Sequence, residues 1–139
     1  MTTLLSAAIA ACAPSNSNAS ETSADANEST ATQGSDHVTE WKEGTISPDA
    51  SQPIVIDFNA VWCPPCRMFG PVYHAVAAKY AAKARFLSVD VDSVPAAAGQ
   101  FEVSSIPQIS VLKPDGTVKS TIGYMSEEEF IEFLDSALN

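Results

Sequence analysis

From residue 53 onward the apolar positions fall into runs of two different periods. Residues 53–59 (PIVIDFN) are an apolar, β-branched run, the pattern of a central strand covered on both faces. Proline suits only its first position, where no ladder hydrogen bond is lost. Between Pro64 and Lys83, Met68, Phe69, Val72, Val76 and Tyr80 recur at three- and four-residue steps. That stripe predicts an amphipathic helix, which Pro71 should kink by removing one backbone donor. Residues 85–91 (RFLSVDV) predict a second strand, 95–101 a short helix, 104–107 a loop and 108–112 a third strand. Lys113-Pro114-Asp115-Gly116 is turn chemistry leading into a return strand over 117–122. Ser126 followed by Glu129 is a capping box. It opens a last helix with Phe130, Phe133, Leu134, Ala137 and Leu138 on its apolar face. The order β-α-β-α-β-β-α predicts an α/β fold: a central mixed β-sheet flanked by helices, a parallel crossover first and an antiparallel hairpin second.

Upstream of this pattern the periodicity fades. Residues 38–52 are transitional, with Trp41 and Ile46 predicted to cover an edge of the core and a short helical turn expected over 39–43. Residues 13–37 are Ser, Thr, Asn, Ala and acids without an aromatic, Leu, Ile or Val until Val38. Such a segment cannot bury enough apolar surface to offset the entropy of ordering, and is expected to be a flexible tether. Residues 1–12 (MTTLLSAAIAAC) are a short apolar run ending in small residues and cysteine, too short to span a bilayer as a helix. Ile9-Ala10-Ala11-Cys12 resembles the lipobox of bacterial lipoproteins, although the basic residues that open a secretory signal are missing. The resemblance implies that Cys12 carries a lipid anchor. The chain thus divides into a signal or lipobox-like segment (1–12), a disordered polar tether (13–37) and one folded domain (38–139). The competing interpretation is a disordered N-terminus whose cysteine is incidental.

Charge narrows the partners. The net charge is −10, and the first forty residues contain five acids and no Lys or Arg. A nucleic-acid partner would require a clustered basic face, so none is expected. Three cysteines are present, and two of them, Cys63 and Cys66, are separated by Pro64 and Pro65 at the predicted strand-to-helix junction. A Cys-x-x-Cys pair in that setting is a redox motif. Structural zinc needs about four ligands, and only Cys12, His37 and His74 remain as further Cys or His, so no metal is expected. Covalent haem attachment would need histidine after the second cysteine, where Arg67 stands.

Disulfide exchange needs a thiolate. At the start of a helix, Cys63 receives the positive end of the dipole and unpaired backbone donors, and Pro64 occupies a preferred first position. Because Pro64 and Pro65 both lack an N–H, the Cys66 N–H is left as the main local partner of the Cys63 sulfur. The thiolate is then stabilised only modestly and the pair should lean towards reductant. Cys66, one turn inside, is the expected resolving thiol. Asp57 is the one acid in the apolar strand. It either reaches solvent at the strand end or is buried with a raised pKa and exchanges the proton of Cys66.

The segment DFNAVWCPPCRMFGP resembles the thioredoxin active-site segment, with Asp57, Trp62, Cys63, Cys66 and Pro71 on matching positions. Ser105-Ile106-Pro107 is similar to that family's cis-proline loop, and Gly116 and Gly123 to its late turns. The resemblance covers about residue 53 to the C-terminus. It implies a thioredoxin-like fold and a thiol–disulfide oxidoreductase without a cofactor. In it Asp57 is the buried proton acceptor, Trp62, Ile106 and Pro107 contact substrate, and Pro64, Pro65 and Pro71 support the site. Three departures stand out: Pro-Pro replaces the usual Gly-Pro, Phe86 takes the place of the lysine usually near the aspartate, and the usual first strand and helix are short or missing.

The favoured expectation is a monomeric, membrane-tethered reductase outside the cytoplasm. It would act on protein disulfide substrates and draw electrons from an upstream donor such as a membrane thiol reductase. A cytoplasmic thioredoxin with an irrelevant extension is one alternative. A non-catalytic binding module using the cis-proline groove is the other.

Overall fold

The computed structural model describes residues 37–139, and the lipobox-like segment with Cys12 and the tether up to residue 36 lie outside the described residues. The elements are β1 (Val38–Glu40), β2 (Ile54–Asn59), α1 (Pro64–Tyr80), β3 (Arg85–Asp90), α2 (Pro95–Gln100), β4 (Gln108–Leu112), β5 (Val118–Ile122) and α3 (Glu127–Leu138). They form a five-stranded sheet in the order β1-β3-β2-β4-β5. β1, β3 and β2 pair in parallel, β4 pairs antiparallel with β2 and β5 antiparallel with β4, so the predicted mixed sheet flanked by helices is the one formed.

The apolar run of β2 is explained by its position. Ile54 to Phe58 are all buried because both faces of the central strand are covered. On one face Val55, Phe86, Ile109 and Val111 pack under α1 and α3, which contribute Phe69, Tyr73, Val76, Phe130, Leu134 and Ala137. On the other, Ile54, Ile56, Phe58, Leu87 and Leu112 pack against Ile46 and the Val94, Ala97 and Phe101 of the α2 region. Burial of this kind contributes roughly 1.5–3 kcal/mol per large side chain. Ser126 caps α3 as its sequence predicts, its hydroxyl accepting from the Glu129 N–H and the Glu129 carboxylate accepting from the Ser126 N–H.

Two expectations need correction. Residues 39–43 make no helical turn. Val38–Glu40 instead form β1, in register Val38 with Phe86, Thr39 with Leu87 and Glu40 with Ser88. An isolated helical turn fixes several dihedrals for one hydrogen bond, whereas β3 offers these residues a preformed ladder, which the Trp41 N–H extends to the Ser88 carbonyl at 2.9 Å. Beyond β1 the chain is held without a helix. Ile46 is 2% exposed, and its N–H and carbonyl exchange two 2.7 Å hydrogen bonds with the side-chain amide of Gln100. Within α1, Met68 is on the solvent side, 64% exposed, and Tyr73 occupies the core position the stripe missed. A buried tyrosine needs a partner for its hydroxyl. Tyr73 supplies it by donating to the Val55 and Leu87 carbonyls of the sheet, at 3.0 and 2.7 Å. The helix continues through Pro71 and ends at Tyr80, whose carbonyl accepts from the N–H groups of Lys83 and Ala84.

Candidate active site

The strand β2 delivers the chain to the edge of the core, and three residues later it turns into α1. Cys63 is the N-cap of that helix in extended conformation, with Pro64 and Pro65 opening the first turn. Both cysteines are nearly buried and joined as a disulfide, with Cα atoms 5.2 Å apart. The Cys63 sulfur accepts one hydrogen bond, from the Cys66 N–H at 3.3 Å, as expected from the two missing proline donors. The Cys63 backbone is fixed at both ends, its N–H donating to Ala60 and its carbonyl accepting from Arg67.

The Ile106–Pro107 peptide bond is cis, and the Ile106 carbonyl oxygen lies 3.9 Å from the Cys63 sulfur. Pro107 is buried, and its carbonyl accepts from the Gly123 N–H at 2.8 Å. Gly123 has φ +106°, a conformation glycine adopts at little cost, so the end of β5 can fold onto the proline loop. Trp62 is 62% exposed beside the disulfide, its indole N–H donating to the Asp92 carboxylate at 2.7 Å. Together with Val91, Val103 and Ile106 it lines a shallow, mainly apolar depression of about 160 Å³. Val61 and Met68 are exposed apolar neighbours in sequence. Pro71 is exposed on α1, away from the sulfurs in the chain by five residues or more.

On the other side of Cys66 lies Asp57, 5% exposed. Burial pushes its carboxyl pKa up to about 7, opposed by one hydrogen bond from Asn59. Its Oδ2 accepts that bond, while Oδ1 is buried without a partner among the described residues. Asp57, Asn59, Cys66, Arg67, His74 and Ser88 line one cleft of about 300 Å³. The register places Ser88, not Phe86, opposite Asp57; Phe86 pairs with Val55 and lies in the core. The strand-by-strand offset decides this, and sequence alone does not carry it. Asn59 and Ser88 were not singled out by the sequence. Asn59 had a legible signal, since residues two apart share a face of a strand.

Comparison with known proteins agrees with this geometry. Residues 35–136 match the thioredoxin family. The chain belongs to that family. It is 42% identical over 84 residues to the thioredoxin of Staphylococcus aureus, with strains Mu50 and MW2 giving the same match, which covers 60% of this chain and 81% of that protein. The solved structure of Schistosoma mansoni thioredoxin superposes with a TM-score of 0.64 at 25% identity, covering 71% of this chain and 94% of that one. The activity of this thioredoxin-family chain is thiol–disulfide oxidoreduction on protein disulfides, carried by a Cys pair at disulfide distance.

Proposed function

We propose that this chain is a reductase of protein disulfides, held on the extracytoplasmic face of a membrane by a lipid on Cys12. The observation that carries the direction of transfer is that, among the described residues, the Cys63 sulfur has one donor, the Cys66 N–H. A strong oxidant of this class owes its potential to a stabilised reduced form. With Pro64 and Pro65 providing no N–H, the Cys63 thiolate gains little and the disulfide state is favoured, which is the condition for a reductant.

The reaction runs in two displacements. The Cys63 thiolate attacks one sulfur of a substrate disulfide, forming a mixed disulfide and releasing the first substrate thiolate. Cys66 then passes its proton to Asp57 and attacks the Cys63 sulfur. The mixed disulfide breaks, the second substrate thiolate leaves, and Cys63–Cys66 closes. Two electrons have moved from the pair to the substrate, and an upstream dithiol must restore them. Trp62, Ile106 and Pro107 border the sulfur that substrate approaches, and Pro64, Pro65 and Pro71 shape the helix that holds it. The tether and the lipobox-like Ile9–Cys12 support the location, since a soluble domain on an anchored cysteine needs reach.

The test is the reduction potential of the Cys63–Cys66 couple together with mass analysis of Cys12. A potential near the thioredoxin value of about −270 mV supports the reductase, and one near about −120 mV makes the protein an oxidant. An unmodified Cys12 in cells would return the chain to the cytoplasmic alternative.

A further inference from the structure

The side-chain amide of Asn59 stands where three acceptors converge. Its nitrogen is 2.9 Å from the Ser88 hydroxyl, 3.1 Å from the Asp57 carbonyl and 3.3 Å from Asp57 Oδ2. A backbone carbonyl can only accept, so the atom facing it is the amide nitrogen and not its oxygen. Two N–H bonds thus serve three acceptors, tying β2 to β3 and holding one side of the carboxyl. The other oxygen, Oδ1, has no partner among the described residues. A buried acceptor of this kind is costly and needs a reason, and its residue lines the same cleft as Cys66.

We propose that Asn59 is a positioning residue for the resolving step: its amide, anchored on Ser88, pins one oxygen of Asp57 and leaves the other to take the Cys66 proton. This rests on Asp57 being the proton acceptor, as proposed above. The amide does by hydrogen bonding what a cation would do by charge. From α1, Cys66, Arg67, Tyr73 and His74 are the titratable or charged groups around Asp57. From β3 comes the neutral Ser88, with Asp90 and the Glu40 of β1 along the adjoining cleft. β4 presents Ile109 in register with Asp57. Arg67 is the one basic side chain other than His74 lining either cleft. The amide donor is therefore the close contact that favours the ionised carboxyl, against a burial effect that disfavours it.

The experiment uses the full chain and Asn59→Leu, which keeps the branched skeleton and removes both donors. In the oxidised protein, where the cysteines do not titrate, carboxyl-labelled aspartate reports the Asp57 midpoint by NMR. In the reduced protein, an aromatic disulfide releases its first thiolate on attack by Cys63 and its second on attack by Cys66. Loss of one hydrogen bond to the ionised form should raise the midpoint by about half to one pH unit. The second phase should then slow roughly 3- to 10-fold on the acid side of its profile, with the alkaline plateau and the first phase unchanged. An unmoved or lowered midpoint, or equal slowing of both phases at every pH, overturns the inference. Should Asn59→Leu fail to fold, Ser88→Ala decides it, with the same direction and a smaller shift required. Asp57→Asn separates the two claims. If it leaves the pH dependence of the second phase intact, the proton-acceptor assignment itself falls. If it flattens that dependence while Asn59→Leu shifts nothing, only the role of Asn59 falls.

Discussion

Asp57 on β2 and the pair Gln108 and Ser110 on β4 are all buried polar side chains in neighbouring central strands. They face opposite sides of the sheet and are treated differently. Gln108 donates to the Phe101 carbonyl and the Ser110 hydroxyl, and Ser110 is 2.8 Å from the Ser120 hydroxyl on β5, so this set closes on itself. Asp57 keeps one oxygen without a partner among the described residues and a pKa pushed up to about 7. A satisfied polar set contributes to structure and specifies the pairing of β4 with β5. An unsatisfied acid costs stability, and here it sits beside a reactive pair. The difference separates scaffold from chemistry on a single sheet.

The sharpest way to break the comparison is at the site. Cys63→Ser should abolish disulfide reduction, and Cys66→Ser should trap a mixed disulfide with substrate, seen as a mass shift removed by reductant. If either variant turns over normally, the division of roles is wrong. Asp57→Asn comes next, with reduction near neutral pH expected to fall by about 10²-fold.

The same variant tests the cost of the buried acid. The folded pKa of Asp57 is raised, from an ordinary 3.8 to about 7, so the unfolded chain loses this proton first. Its contribution to stability therefore falls as pH rises from about 4 to about 7, and is constant above. The stability of Asp57→Asn relative to the parent should improve by roughly 3–4 kcal/mol between about pH 4 and pH 8 in chemical denaturation. A difference independent of pH would mean that Asp57 is ionised at ordinary acidity.

Ser110→Ala should behave in the opposite way, losing about 1–2 kcal/mol at every pH while reductase activity per folded molecule is unchanged. A pH-dependent loss, or a loss of activity, would erase the contrast between the two sets. Smallest is Ser126→Ala at the α3 cap, far from either set in the chain, expected to cost about 1 kcal/mol and serving as the scale for an exposed hydrogen-bond pair.

Local pattern was enough for most of this molecule. The apolar run of β2, the turn at residues 113–116, the capping box at Ser126 and Glu129 and the Cys63–Cys66 pair at a helix start are each written within a few residues, and each was formed as expected. The two prolines even carry the hydrogen-bond pattern on the Cys63 sulfur, because a missing N–H is a covalent fact. Where the pattern is short, it failed. Val38–Glu40 is three residues long, and only pairing with β3, nearly fifty residues away, makes it a strand.

The surroundings of Asp57 belong to the same class. Whether a lone acid in an apolar strand is buried depends on what covers the strand, and which residue stands beside it depends on register. A shift of two positions would put Phe86 beside Asp57 in place of Ser88, and the observed register pairs Asp57 with Ser88. Chain identity sets covalent chemistry and local period. Burial, strand register and the company an ionisable group keeps arise from contacts between distant segments, and those contacts exist only once the chain has folded.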